Sequence, residues 1–358
     1  MAADPLGAVR PFAGWLVRAE AAPAEVAAMS EVAVAAREAP RPVHPGAYEP
    51  VAPALHVYRQ RTPHGDHTGI VCDIAPEAFL AGRVRGHEAV QPERVDALAR
   101  YLVTAPQRVE LVSTLHRAGP AVRAALARIP ATAPLRDLPG PGATRHTIWP
   151  VPAGPATERL LRELGAATHY IADGHHRVAA SLEVWARSGR DGGPGVLGVA
   201  YPLDGLRLSS FDRRVVGPVD PAPLLARLGE SFEVRPADAG GTGTAVYLDG
   251  RWWSARFRGE RPPGSPGLDV SLLHARVLDR LPAGTRVEPS RVPVEELVAA
   301  CDADGGALFV PPAPALATIT AIADAGEVVP AKSTFFAPKP ASGIFLRGPA
   351  DDRRAAAG

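Results

Sequence analysis

Cysteine is nearly absent: Cys72 and Cys301 are the only two. A disulfide framework and a thiolate zinc site both need more, so both are excluded, and two buried free thiols are expected. An excess of one charge is also missing. Lys plus Arg number 39 against 38 Asp plus Glu, a formal net charge of +1. That removes the broad electrostatic case for nucleic acid or an anionic membrane as partner. No apolar run is long enough to span a bilayer. Met1 to Val9 lacks the basic start and apolar core of a signal peptide, so cytoplasm is the expected location. There is no internal repeat, heptad array, Walker A loop, Rossmann fingerprint or nucleophile elbow.

What is present is a 358-residue chain with 46% hydrophobic residues, enough for a large core and two subdomains. The 39 Pro and 35 Gly stand beside many Ala and Arg, the mark of a high-GC coding sequence rather than of disorder. The most informative stretch runs from Tyr170 through Asp173-Gly174-His175-His176-Arg177 to Ala180. Thr168 to Ala172 reads as a short apolar strand, and a helix follows to about Ser188, with Gly189 as its stop. Val178, Leu182 and Trp185 recur at helical spacing and should pack inward. Asp173 can cap this helix, and Gly174 removes the Cβ that would keep a ligand off the backbone. The first-turn N–H groups, the positive end of the helix dipole and Arg177 then converge on one spot suited to a phosphate. A structural turn with solvated histidines is the alternative.

The Asp-Gly-His-His-Arg turn followed by two alanines resembles the family known as domain of unknown function 1015. Its Gly-x-x-Arg helix start is similar to the wider ParB/sulfiredoxin-like superfamily. A second stretch, Lys332-Ser333-Thr334-Phe335-Phe336-Ala337-Pro338-Lys339 and on to Phe345, resembles the same family's C-terminal signature. The resemblance implies an α/β (α+β) protein: a mixed β-sheet with flanking helices, a ParB/sulfiredoxin-like core and an additional α/β subdomain. Residues 1–50 are expected to form a divergent N-terminal segment and linker, with a helix over Ala22 to Glu38 and an extended stretch over Ala39 to Pro53. Residues 51–347 form the family-like domain, its core motifs at 83–97, 168–188 and 328–347 and a subdomain at 217–310. Residues 348–358 form a tail. The family's Pro-Pro-Tyr-Asp segment is not recognisable here.

The resemblance also nominates site residues. His87-Glu88 corresponds to a His-Glu pair in the family, although Ala97 replaces a downstream Arg. Glu88, with His87, is the catalytic candidate, because a carboxylate beside a phosphate can accept a substrate hydroxyl proton. A cap or a surface ion pair is the plainer alternative for both. Arg214 matches an Arg that precedes Val-Val, and its alternatives are a second phosphate contact or a surface position on an edge strand. Lys332, set in the second signature, is a candidate phosphate or carboxylate ligand. No metal ligand set is assigned among the side chains.

The rest of the chain reads as alternating elements. Leu55 to Gln60 and Thr68 to Ile74 form a hairpin, and Pro92 to Leu102 and Val122 to Arg128 form helices. His146 to Trp149 is a strand with Trp149 in the core. Asp249-Gly250 marks a tight hairpin whose Trp252 and Trp253 divide between the two sheet faces.

Two functions follow from the resemblance. One is a nucleotide-dependent phosphotransferase using ATP or ADP with Mg²⁺ on a small hydroxyl substrate, of the free serine kinase kind. There Gly174, His175, His176 and Arg177 hold phosphates, with Asp173 in the same cofactor-binding turn and Arg214 and Lys332 neutralising charge. The other is a ParB-like nucleotide- or metabolite-binding regulatory module without turnover. Sulfiredoxin-like redox chemistry is weakened because the phosphate loop contains no cysteine. A zinc hydrolase is weaker still, since adjacent helical residues such as His175 and His176 point about 100° apart.

Overall fold

A computed structural model describes residues 9–27, 44–104, 111–189, 195–237 and 243–347. The fold is α+β, with mixed and antiparallel sheets flanked by helices. The chain divides into two compact units. The first takes Met1–Gly86, Val90–Arg207 and Phe336–Gly358, and the second His87–Ala89 and Leu208–Phe335.

The first unit is built on a nine-stranded sheet. Its strands lie in the order Val84–Arg85, His169–Asp173, Val112–His116, Val196–Pro202, Gly65–Ile74, His56–Thr62, Arg145–Pro150 and Arg136–Pro139, with Val9–Arg10 also on Gly65–Ile74. Two pairings are parallel, His169–Asp173 on Val84–Arg85 and Val196–Pro202 on Val112–His116, so the sheet is mixed. The expected hairpin is present, with Tyr58 opposite Gly69. Alternation divides the sheet's two faces. Val57, Ile70, Cys72, Val112 and Ala200 belong to one apolar cluster, against which Trp149 and Val178 also pack. Their strand neighbours His56, Tyr58, Gln60, Ser113 and Tyr201 are buried on the opposite face. Part of that polar face is covered by the C-terminal segment. The Gln60 amide donates to the Lys339 carbonyl (3.0 Å), and Phe345 meets His56 and Tyr58 edge-on.

A three-stranded sheet, ordered Phe345–Leu346, Phe12–Val17, Tyr48–Ala54, completes this unit. Here the structure differs from the sequence reading, which leaves Ala39 to Pro53 as a linker. Tyr48–Ala54 is a strand despite Pro50 and Pro53, because it lies at the sheet's edge, where a missing N–H breaks no inner ladder. The helix expected over Ala22 to Glu38 is seen as one turn, Ala22–Glu25. Residues 28–43 lie outside the described residues.

The second unit centres on a six-stranded antiparallel sheet in the order Phe232–Pro236, Arg251–Phe257, Thr244–Leu248, Ala307–Val310, Asp212–Val216, Arg286–Ser290. Asp249 (φ 51°) and Gly250 (φ 71°) both take the left-handed conformation that a tight hairpin demands. Trp253 packs in the cluster around Val246 and Phe309, and Trp252 in the one around Tyr247 and Leu297, one ring to each face as expected. Cys72 and Cys301 are both buried free thiols, one in each unit. Among the described residues no helix is long and apolar enough to cross a membrane.

Candidate anion-binding site

The first-unit strand His169–Asp173 runs through Gly174 into the helix His175–Arg187. Val178 and Trp185 are buried and Leu182 packs on the core, as the helical spacing predicts. Gly174 is the cap residue, at φ 105° in the left-handed region, and a Cβ there would also come within 3.1 Å of Arg177 Nη2. Glycine is needed on both counts.

Asp173 does not act as the cap. A register shift between Ile171 and Asp173 disrupts the ladder, and the carboxylate is taken up by cations instead. Its Oδ2 accepts from Arg177 Nη2 at 2.5 Å, and Lys339 Nζ lies 2.6 Å from Oδ1. Arg177 also donates from Nη1 to the Leu111 carbonyl at 2.7 Å, which fixes the guanidinium plane. Burial would raise the Asp173 carboxyl, but Arg177 and then Lys339 outweigh it and hold the group below the usual carboxylate range. Asp173 is therefore ionised at neutral pH, facing two cations at the positive end of a 13-residue helix.

The two histidines of the turn are used unequally. His175 is buried, its ring so close to Gly86 that a Cβ there would sit 3.0 Å from its Cδ2. The Nε2 of His176 accepts the Gln91 N–H at 3.1 Å, just before the helix Pro92–Thr104. Those two helices also share a small core of Val95, Ala99 and Ala180, so His176 helps dock one on the other.

The structure brings Asp173, Gly174, His175, His176 and Arg177 together in the first unit. His87, Glu88, Arg214 and Lys332 belong to the second. His87 is buried, with Nε2 2.9 Å from Thr334 Oγ1. Burial pulls its pKa down to about 4, so it is neutral at pH 7. Glu88, half-buried, forms a parallel bridge with Val329. Lys332, at φ 59°, places Nζ 5.4 Å from the centre of the Phe211 ring. Arg214 points elsewhere: its Nη2 is ion-paired with Asp304 and donates to the Ala300 carbonyl at 3.0 Å. Its neighbour Arg213 is the one that donates to the Lys332 carbonyl, at 3.0 Å. Strand alternation sends these two arginines to opposite faces.

Sequence reasoning singled out Lys332 of the C-terminal signature and passed over Lys339 as a site residue. Only the path of the chain after cis-Pro338 shows which lysine meets Asp173. Among the described residues no group of three or more His, Cys, Asp or Glu side chains is placed to hold a metal ion.

Fold and site thus define an α+β protein with a cationic cluster at a helix start. The chain belongs to the DUF1015 family, described as a protein of unknown function, whose model matches residues 10–281. No curated protein matches it significantly. Among solved structures it is similar to a glutamate-to-glutamine variant of a free serine kinase in complex with AMP. That likeness has 13% identity and a TM-score of 0.41, and covers 74% of this chain and 87% of that one. It is similar also to C-terminally truncated SbnI from Staphylococcus aureus, at 10% identity and a TM-score of 0.42, covering 75% of this chain and 84% of that one. A conserved hypothetical protein from Pyrococcus furiosus gives 13% identity and a TM-score of 0.36, covering 75% of this chain and 91% of that one. Likeness at this level says nothing about activity.

Proposed function

We propose that this protein is a nucleotide-dependent phosphotransferase acting on a small hydroxyl substrate, with a free hydroxy amino acid such as L-serine as acceptor. The observation that carries the reading is the Asp173–Arg177–Lys339 cluster at the start of the His175–Arg187 helix. Two cations and the positive end of the helix dipole meet at one carboxylate there, which suits the phosphates of ATP or ADP. The turn's resemblance in sequence to ParB/sulfiredoxin-like Gly-x-x-Arg helix starts supports the same ligand. Arg177 offers a planar fork for phosphate oxygens, and Gly174 lets them approach the backbone. Phosphoryl transfer needs positioned positive charge more than a covalent nucleophile. Mg²⁺ would be held by phosphate oxygens, water and at most one or two carboxylates. When bound it supplies charge neutralisation at the transferred group. Of the second-unit candidates, Glu88 is assigned to orient or deprotonate the acceptor hydroxyl.

The test is Mg²⁺-dependent phosphate transfer from ATP and ADP to a panel of free hydroxy amino acids, with Glu88→Gln beside wild type and nucleotide binding followed by calorimetry. Turnover that disappears in the variant while binding persists supports the assignment. Binding without turnover on any acceptor points instead to a regulatory nucleotide-binding module. No binding at all overturns the reading.

A further inference from the structure

We infer that Lys339 and Ser113 are phosphate-binding residues of this site, Lys339 as a mobile point charge and Ser113 as a hydroxyl donor. The inference rests on the nucleotide-binding reading above and deepens it.

The first argument is charge. One arginine at 2.5 Å already neutralises the Asp173 carboxylate, yet Lys339 Nζ lies 2.6 Å from the other oxygen. Two cations thus meet one carboxylate at the start of the His175–Arg187 helix, and an arriving phosphate would find both in place. The second argument is residue type. Of the 39 Lys and Arg residues, only Lys332 and Lys339 are lysine. A chain that otherwise writes arginine for cations places a lysine here. Lysine differs in being a compact charge on a flexible stem, able to swing from a carboxylate to an arriving phosphate. Lys339 is anchored for this, since its carbonyl accepts from Gln60 Nε2 at 3.0 Å while its side chain is 35% exposed.

The third argument is independent of both. Ser113 stands directly opposite Asp173 in the antiparallel ladder, so the two side chains share a sheet face. Ser113 is 1% exposed, and its Oγ has no hydrogen-bond partner among the described residues. A buried hydroxyl without a partner is destabilising. A phosphate oxygen held by Arg177 and Lys339 would accept its proton.

The test measures binding of ADP, inorganic phosphate and adenosine by calorimetry to wild type, Lys339→Gln, Lys339→Arg and Ser113→Ala. Thermal unfolding of each ligand-free protein is recorded alongside. Loss of one charge-assisted hydrogen bond should weaken ADP and phosphate about 10- to 100-fold in Lys339→Gln. Lys339→Arg, which restores the charge but not the compact ammonium on a flexible stem, should recover only part of that loss. Ser113→Ala should weaken ADP about 3- to 10-fold, the scale of one neutral hydrogen bond. Adenosine, which has no phosphate, should bind each variant as it binds wild type, a pattern that a purely structural role would not produce. ADP bound by wild type and equally tightly by Lys339→Gln and Ser113→Ala would overturn this inference and leave the nucleotide site standing. Neither ADP nor phosphate bound by wild type would overturn both.

Discussion

Tyr58 Oη lies 2.7 Å from His146 Nδ1, with the two rings stacked 8° from parallel and both residues wholly buried. This imidazole cannot charge without a desolvation cost, and burial pulls its pKa down to about 4. His56 and His87 are lowered by burial to about 4 as well. His116, lowered by burial and then by neighbouring His169, falls to about 3.

Stability should therefore fall on mild acidification. Unfolded histidines take up protons near pH 6.5, whereas these folded ones do so only near pH 4 or below, so between those values the unfolded state binds more protons. Each such group contributes stability that is present above about pH 6.5 and is progressively lost as pH falls toward 4. The unfolding midpoint should drop steadily from pH 7 to pH 4.5, with proton uptake on unfolding seen in calorimetry. A flat midpoint over that range would show that these imidazoles are not buried as described.

Gly174→Ala should destabilise the first unit and damage its anion site together. The residue sits at φ 105°, and the new methyl would press on Arg177 Nη2. Strain of this kind costs about 1–3 kcal/mol. Urea unfolding measures that loss, and calorimetry should show weakened ADP binding in the same protein.

Arg214→Met should separate architecture from binding. Its guanidinium ties the Asp212–Val216 strand to Asp304 and to the Ala300 carbonyl, inside the second unit. The variant should unfold at lower urea, by roughly 1–3 kcal/mol for lost hydrogen bonds to a charged group, while ADP affinity stays within about twofold. A large loss of affinity at unchanged stability would return Arg214 to the list of phosphate ligands.

A fourth expectation concerns Arg347, whose Nη2 is 2.9 Å from Asp73 Oδ1 with both side chains largely buried. It also donates to the Gly195 carbonyl. Arg347→Met leaves a carboxylate buried without its cation and should cost about 3–5 kcal/mol in chemical denaturation. Adding Asp73→Asn should recover a substantial part of that loss. No recovery would mean that the arginine acts through packing rather than charge.

What the sequence discloses follows the range of the interactions involved. Asp249-Gly250 requires only its own two dihedral angles, and the Val178, Leu182, Trp185 stripe only a helical period, so both were legible. Ser113 was not. Nothing local marks it, because its relation to Asp173 exists only through the register of two strands far apart in the chain. Arg213 and Arg214 show the same limit: a motif can nominate an Arg before Val-Val, but alternation decides which face it serves. Pro50 and Pro53 misled because a proline signals interruption locally, whereas the sheet edge that tolerates it is a property of the assembled fold.

The three-stranded sheet, in which Phe12–Val17 lies between Tyr48–Ala54 and Phe345–Leu346, has a consequence for synthesis on the ribosome. The second unit is almost one continuous stretch, Leu208–Phe335, and can close soon after that stretch emerges. The first unit begins earlier but must wait. Until residues 336–347 have been made, Phe12–Val17 has one bare edge and Asp73 and Asp173 lack Arg347 and Lys339. The nascent chain thus carries an unfinished edge through the whole translation of its partner unit, and an arrest just short of Lys339 would release a protein with a folded second unit beside a first unit still open to aggregation.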